Sequence, residues 1–209
     1  MPLQRRKKES TSSNKMSTEA TRLVDPSSSS SSKELLPAWM NDKKYSATCH
    51  KAAMFSSMVG FFLALHALIG GVKDHMTSMS AATLLVVGGV GILSFVRHSI
   101  FFRSDEARIG WKAEDPSFIN FFLIEAGMAN NAWGVLGVLS VVCNWGLAVQ
   151  AASWLIYAMY MLQVWVMLLI LHITNHPGGR GVKSLSQAAS FVSMLLIVAI
   201  WMMIEANKE

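Results

Sequence analysis

Four ionisable side chains that lie in or at the ends of strongly apolar segments are the best candidates for chemistry in this sequence. They are Glu125, Arg97, His98 and His172. A charge at the middle of a membrane helix costs about 2.5 kcal/mol or more, so such residues usually have a function or a partner. If the segments cross a membrane in alternate directions, all four lie at similar depth and could form one polar cluster. Glu125 would then lie about 10 Å inside the inner end of its helix.

The first interpretation is an integral membrane protein of unknown activity in which this polar cluster, around Glu125, is structural or regulatory, and other interpretations stay open. Glu125 is either the working group of a small proton-coupled transporter or channel, or a neutral or histidine-paired acid that holds helices together. A third possibility is a membrane enzyme that acts on lipid or quinone. Two histidines on different helices are a weak metal signal, so no metal and no other cofactor is predicted. The sequence has no glycine-rich phosphate loop, GxSxG or HExxH motif, so the membrane enzyme is the third of these interpretations and the sequence favours a protein without enzyme activity.

A second pattern lies on the same apolar segment as Glu125. Small residues and amides recur there at spacings of three and four, which places them on one helical stripe. The stripe comprises Gly127, Asn130, Asn131, Gly134 and Gly137. Small residues let a neighbouring helix approach closely, and a buried amide can bond across the contact. The pattern predicts helix packing with this third segment at the centre, or contact with a second copy or a membrane partner.

The elements that must position these residues follow from the composition. The chain is 52% hydrophobic and only 15% charged, whereas a soluble globular chain has roughly 25% charged residues. Five apolar segments are long enough to cross a hydrocarbon core of about 30 Å. They are residues 52–72, 81–102, 118–143, 147–173 and 185–204. The sequence predicts an all-α, five-span transmembrane bundle over residues 49–209 whose partner is the lipid bilayer.

The third and fourth segments are separated only by the residues Asn144 to Gly146. A single helix over 118–173 would be about 80 Å long, so these residues must form a turn.

Residues 1–48 have the composition of a disordered tail. The tail is basic and rich in serine, with the run RRKK near its start and six serines at 27–32. Ten of the 18 Lys and Arg residues lie in the first 51 positions, ahead of the first apolar segment. This distribution is typical of a cytosolic flank and does not indicate nucleic-acid binding.

The remaining Lys and Arg residues predict the orientation. With the N-terminus in the cytosol, sixteen of the 18 fall on the cytosolic side, and only Lys73 and Lys208 fall on the other. An excess of positive charge on the cytosolic side is the usual rule for membrane proteins. Five spans then place the C-terminus on the opposite side, in a membrane that the sequence does not identify.

The segment from Arg97 to Ser140 resembles the core of an uncharacterised family of small integral membrane proteins, many of them bacterial. In that family a histidine and paired phenylalanines precede an Ile-Gly-Trp loop and a helix that opens Glu-x-Gly-Phe-Ala-Asn. The matching positions are His98, Phe101, Phe102, Ala107, Ile109, Gly110, Trp111, Glu125, Gly127, Ala129, Asn130 and Gly134. A later element of the family is matched at His172, so the resemblance includes this residue as well. The resemblance covers about residues 81–181, departs at Met128 and implies a polytopic membrane architecture without naming an activity.

Overall fold

The computed structural model describes residues 42–72, 74–109, 121–175 and 181–208. Five helices in these ranges are long and apolar enough to cross a membrane, and the described residues form no strand. The prediction of an all-α, five-span bundle is confirmed. The helices are α1 (Lys43–Gly70), α2 (Met76–Thr83), α3 (Val90–Phe95), α4 (Phe102–Ile109), α5 (Phe121–Val142), α6 (Leu147–Ile173) and α7 (Val182–Ala206).

The second span is one continuous rod, Met76–Ile100, made of α2, α3 and two π-helical segments. The π-helical segments are π1 (Leu84–Gly89) and π2 (Val96–Ile100). Successive spans run in opposite directions. One end of the bundle is therefore called here the near end. It contains α4, the end of α6, and the beginnings of α1, α5 and α7.

Helix α1 begins at Lys43, nine residues before the predicted start of the first span at position 52. The side chain of Asp42 caps it by accepting a hydrogen bond of 2.9 Å from the Lys44 amide. The first turns of α1 are polar, so hydropathy alone does not detect them. Residues 43–48, which the sequence assigned to the tail, form the first turns of α1, and positions 1–41 of that tail lie outside the described residues.

The predicted turn between the third and fourth spans is confirmed. Helix α5 ends at Val142 and α6 begins at Leu147. Asn144 and Gly146 adopt φ values of +50° and +87°, the left-handed backbone region that asparagine and glycine tolerate best. This backbone geometry lets two spanning helices follow each other with only four residues between them.

The most buried of the five spans is the second. Half of its apolar stretch is buried, compared with one third for α5. The two spans meet at glycines, because a Cβ added to Gly91 would lie 2.6 Å from the Cα of Gly134. Two backbones in such close contact place the Arg97 and His98 region beside the start of α5.

Helices α6 and α7 form an antiparallel pair on the other side of the core. The indole of Trp165 donates a hydrogen bond of 3.2 Å to the Leu185 carbonyl. Phe61 of α1 joins this pair to the rest of the bundle, with ring centroids 5.8 Å from Trp154 and 5.6 Å from Phe191. The core therefore centres on aromatic and aliphatic contacts midway along the helices.

Candidate functional site

A buried carboxylate, Asp105 of α4, is the centre of the most highly charged interior region among the described residues. Its side chain is fully buried. Oδ1 accepts hydrogen bonds from Nη2 and Nε of Arg108, at 2.8 and 3.0 Å, and from the hydroxyl of Ser46 on α1. Oδ2 lies 2.8 Å from Nδ1 of His98 on π2. With Arg97, these residues are called here the Asp105 cluster.

Arg97 connects the cluster to two imidazoles. Its Nε lies 3.6 Å from Oδ1 of Asp105, its Nη2 lies 2.6 Å from Nε2 of His98, and its Nη1 lies 3.0 Å from Nδ1 of His50. A guanidinium has only donors, so both of these ring nitrogens must act as acceptors. His98 therefore carries its proton on Nδ1, facing Asp105, and is neutral.

Two guanidinium groups thus share one carboxylate. The Nδ1–Oδ2 contact between His98 and Asp105 is close but lacks hydrogen-bond alignment, and neither atom has another hydrogen-bond partner in the described part of the chain. Burial alone would raise the pKa of the Asp105 carboxyl. The contact with His98, the charge of Arg97 and the Ser46 hydroxyl together hold that pKa well below its usual range. Asp105 is therefore ionised at neutral pH.

Ser104 fixes α4 to the beginning of α1. Its hydroxyl accepts a hydrogen bond of 2.9 Å from the Ser46 amide and donates one to the Asp42 carbonyl. The hydroxyl therefore lies between the Ser46 amide and the Asp42 carbonyl, the two groups that would otherwise bond to each other in the first turn of α1, and it satisfies both. The ring of Tyr45 also stacks on Phe101, with centroids 5.2 Å apart.

The local backbone explains how Arg97 and His98 face α4. Both lie in π2, where the Phe101 amide bonds to the Val96 carbonyl, five residues back, at 2.9 Å. Such wide turns are often found at functional positions. Phe101 then leaves the helical conformation, with φ −102° and ψ +34°. The chain turns there, and α4 folds back over the residues that precede it.

The structure does not bring all four predicted cluster residues together. Arg97 and His98 join Asp105, whereas Glu125 is exposed and His172 is half-buried. Neither the Glu125 nor the His172 side chain forms a hydrogen bond or ion pair within the described ranges. The buried face of α5 includes Gly127, which lies two residues or about 200° from Glu125 around the helix. The centre of the cluster must therefore be moved from Glu125 to Asp105.

The predicted small-residue stripe of α5 faces the second span of the same chain. A Cβ added to Gly134 would lie 3.0 Å from the Cα of Gly91, and one added to Gly137 would lie 2.7 Å from the Val87 side chain. A Cβ at Gly127 would meet the Ser99 hydroxyl. The stripe is therefore covered within the chain rather than presented to a second copy.

The two amides of the stripe differ. Asn130 is buried, and its Nδ2 donates to the Ala126 carbonyl and, at 3.4 Å, to the hydroxyl of Tyr160 on α6. Asn131 is half-buried. Asn130 thus connects α5 to α6, while the glycines connect α5 to the second span.

A second buried polar group lies between the second span and α6 and carries no charge. Gln150 donates a hydrogen bond of 3.2 Å to Ser80, and its carbonyl accepts from Thr83 at 3.2 Å. The indole of Trp154 donates to the Thr83 hydroxyl at 2.9 Å. These four residues are called here the Thr83 network. The sequence analysis did not identify it, because single Thr, Ser and Gln residues are common in apolar helices.

Sequence reasoning also missed most of the Asp105 cluster. Asp105 and Arg108 lie between two predicted spans and Ser46 lies in the predicted tail, so the sequence did not mark them as candidates. The signal that could have found them is the apolar pair Phe102 and Ile109, which are seven residues or about two helical turns apart in a mostly charged stretch, a pattern typical of a short amphipathic helix.

Among residues 42–208, leaving out the undescribed gaps, no group of three or more His, Cys, Asp or Glu side chains is arranged to hold a metal ion. No protein-family model, no curated protein and no solved structure matches the chain. The resemblance to the family of small membrane proteins therefore rests on its motif residues alone. The fold itself defines the class, a five-helix bundle of membrane-spanning type.

Proposed function

We propose that this chain is an integral membrane protein in which the Asp105 cluster is a structural clamp that holds α4 against α1 and π2. One observation carries the proposal. A fully buried carboxylate is contacted by four side chains from three separate elements, namely Arg108 from α4, Ser46 from α1, and Arg97 and His98 from π2. Each of these contacts helps to hold α4 in place, which is what a clamp requires.

The energetics favour a clamp over catalysis. Asp105 has no exposed surface, so a substrate has no access to its oxygens. Burial of a charge is tolerated only when partners replace water, and removal of one partner of a buried pair costs about 3–5 kcal/mol. Helix α4 has eight residues, fewer than the roughly 12–15 that an isolated helix needs. It depends on the cluster for its position.

We also propose that the near end faces the cytosol. The support is the distribution of Lys and Arg, with sixteen on this side of the five spans and only Lys73 and Lys208 on the other. Reporter domains fused after Lys112 or Gly181 should remain in the cytosol, and those fused at Asp74 or after the C-terminus should be external. A cytosolic C-terminal reporter would contradict the five-span orientation.

Hydrogen exchange in detergent micelles tests the clamp. Asp105→Asn removes the charge that attracts both guanidiniums, so amides of 102–109 and of the first two turns of α1 should exchange faster. Amides of α6 should be unchanged. Glu106→Gln is the matched control, because the neighbouring acid pairs with Arg103 at 3.4 Å and not with α1.

Unchanged exchange in α4 when Asp105 is neutralised would contradict the clamp. A proton flux into liposomes that wild type carries and Glu125→Gln abolishes would favour the transporter as the function of the chain. A metal or organic cofactor that co-purifies with the chain would instead favour the membrane enzyme.

A further inference from the structure

An apolar groove lies between α5 and α6 on the surface that faces the membrane. Its volume is about 390 Å³, within the range of roughly 300–1,000 Å³ that is typical of small-molecule sites. It is lined by Ala129, Ala132, Trp133, Leu136, Ile156 and Tyr160. The α5 residues of this lining, from Ala129 to Leu136, are called here the floor, and Ile156 and Tyr160 of α6 are called the wall.

The end of the groove that points to the near end of the bundle is polar. Glu125 precedes Ala129 by four residues, so it lies on the same face of α5, one turn nearer to the helix start. Gln163 follows Tyr160 by three residues and extends the α6 wall in the same direction. Both side chains are exposed. A carboxylate and an amide therefore flank the near end of a groove that is otherwise apolar.

We propose that this groove binds one acyl chain of a lipid whose head carries an ammonium group, with the ammonium at Glu125. Charge complementarity carries the assignment. Glu125 forms no hydrogen bond or ion pair within the described ranges, and it lies about 6 Å along the axis from Phe121, where α5 begins. A carboxylate at that depth needs a cationic partner, and an ammonium group forms a strong, charge-assisted hydrogen bond with it.

Tyr160 adds a second polar contact inside the groove. Its hydroxyl accepts the Asn130 amide at 3.4 Å, which leaves the phenol proton to donate to an ester oxygen of the lipid. The order of groups from the near end is then acid, phenol and apolar floor. In a phospholipid that lies along α5 the order is ammonium, phosphate, ester and hydrocarbon, so the ammonium would lie at Glu125, the ester at Tyr160 and the phosphate between the two.

A lipid chain fits the groove better than a partner helix does. The floor from Ala129 to Leu136 is about 10 Å long, whereas two spanning helices share a contact of up to about 30 Å. Farther along α5 the exposed residues are the bulky Leu139 and Val142. The glycine stripe that a close helix contact would use is already covered by the second span.

Native mass spectrometry of the full chain tests the proposal. The protein in detergent is given phosphatidylethanolamine or phosphatidylglycerol with identical acyl chains, which differ in the ammonium group. Wild type should retain at least about tenfold more of the amine lipid, the ratio expected for one charge-assisted hydrogen bond. Glu125→Gln should abolish the preference but still bind both lipids.

Groove filling provides the second arm. Ala132→Leu should lower retention of both lipids by about tenfold, because its side chain occupies the space of the acyl chain. Ala52→Leu is the matched control, an exposed alanine of α1 that does not line the groove. Each variant must unfold at the wild-type temperature for its lipid result to count, and Glu125→Ala replaces Glu125→Gln if the latter does not fold.

Three results would overturn the proposal. Wild type could retain both lipids equally, Glu125→Gln could keep the preference for the amine lipid, or Ala132→Leu could bind lipid as wild type does. A lipid-free dimer that Ala132→Leu separates would assign the groove to a second copy instead. The proposal does not depend on the clamp, since Asp105 and the groove share no residue.

Discussion

The Asp105 cluster and the Thr83 network solve the same problem with different chemistry. The Asp105 cluster joins α1, π2 and α4 through a carboxylate and two guanidiniums, at the near end. The Thr83 network joins the second span to α6 through an amide, hydroxyls and an indole, inside the apolar core. The charged groups lie at the end of the second span, where α4 begins, and the neutral groups form the polar contacts between the spans. An unpaired neutral group costs far less in hydrocarbon than an unpaired ion does.

Each group gives the protein different properties. An ionic cluster is strong when complete and costly when one member is lost, and its contribution to stability depends on pH. A neutral network is weaker at each bond and does not titrate. Substitution of one central residue at a time, with unfolding measured in detergent micelles, separates the two contributions.

The largest effect should come from Asp105→Ala. This change leaves Arg97 and Arg108 without their shared counter-charge and should lower the free energy of unfolding by about 3–5 kcal/mol. Chemical or thermal unfolding followed by circular dichroism measures it. Glu106→Ala, which removes the single ion pair with Arg103, should cost clearly less. Equal losses for the two variants would mean that the cluster is no stronger than an ordinary helix-end pair.

A smaller loss should appear on acidification. The pKa of Asp105 is lowered in the folded state, so its stabilisation is fully present above the unfolded value of about 4. It is lost as the pH falls through the lower, folded value. The unfolding temperature of wild type should therefore drop below about pH 4, and that of Asp105→Asn should drop less. Gln150→Leu should keep the wild-type profile, and any other result would remove the contrast between the two groups.

Gln150→Ala should have an intermediate effect of about 1–3 kcal/mol, because it removes the hydrogen bonds that the buried amide makes with the hydroxyls of Ser80 and Thr83. Gln150→Leu fills the space and should cost less. The loss should be the same at pH 5 and pH 8. A loss that changed between these values would show that the Thr83 network is coupled to an ionisable group.

The smallest effect should come from Glu125→Gln, which should shift the unfolding temperature by less than about 2 °C in lipid-free micelles. The side chain is exposed and contributes no described internal bond. A shift comparable with that of Gln150→Ala would place Glu125 among the structural polar residues after all.

The spans were predictable because hydropathy over about 20 residues reports a property that the membrane itself selects. Arg97 and His98 were found for the same reason, as ionisable residues at the end of an apolar segment. Asp105 was not, because its burial is created by the packing of α4 against α1, residues 58 or more positions apart. Local pattern carries no information about such a contact.

Glu125 shows a different limit. Helical periodicity correctly separates it from the stripe that contains Gly127 and Asn130, since it lies on another face of α5. Periodicity cannot say whether that face meets another helix or the membrane. We predicted that this face of α5 meets a helix that carries histidines. In the structure this face is exposed and α6 packs beside it.

The Asp105 cluster also has a consequence for the order in which the protein is made. All of its side chains, with Ser104 and the Asp42 carbonyl, lie between residues 42 and 108, before α5 begins. A ribosome releases this part of the chain first, and segments generally fold in the order of synthesis. We therefore expect α1, the second span and α4 to be locked together while α5, α6 and α7 are still being translated. The backbone at Gly91 is then exposed until α5 enters the membrane and its glycines pack against it.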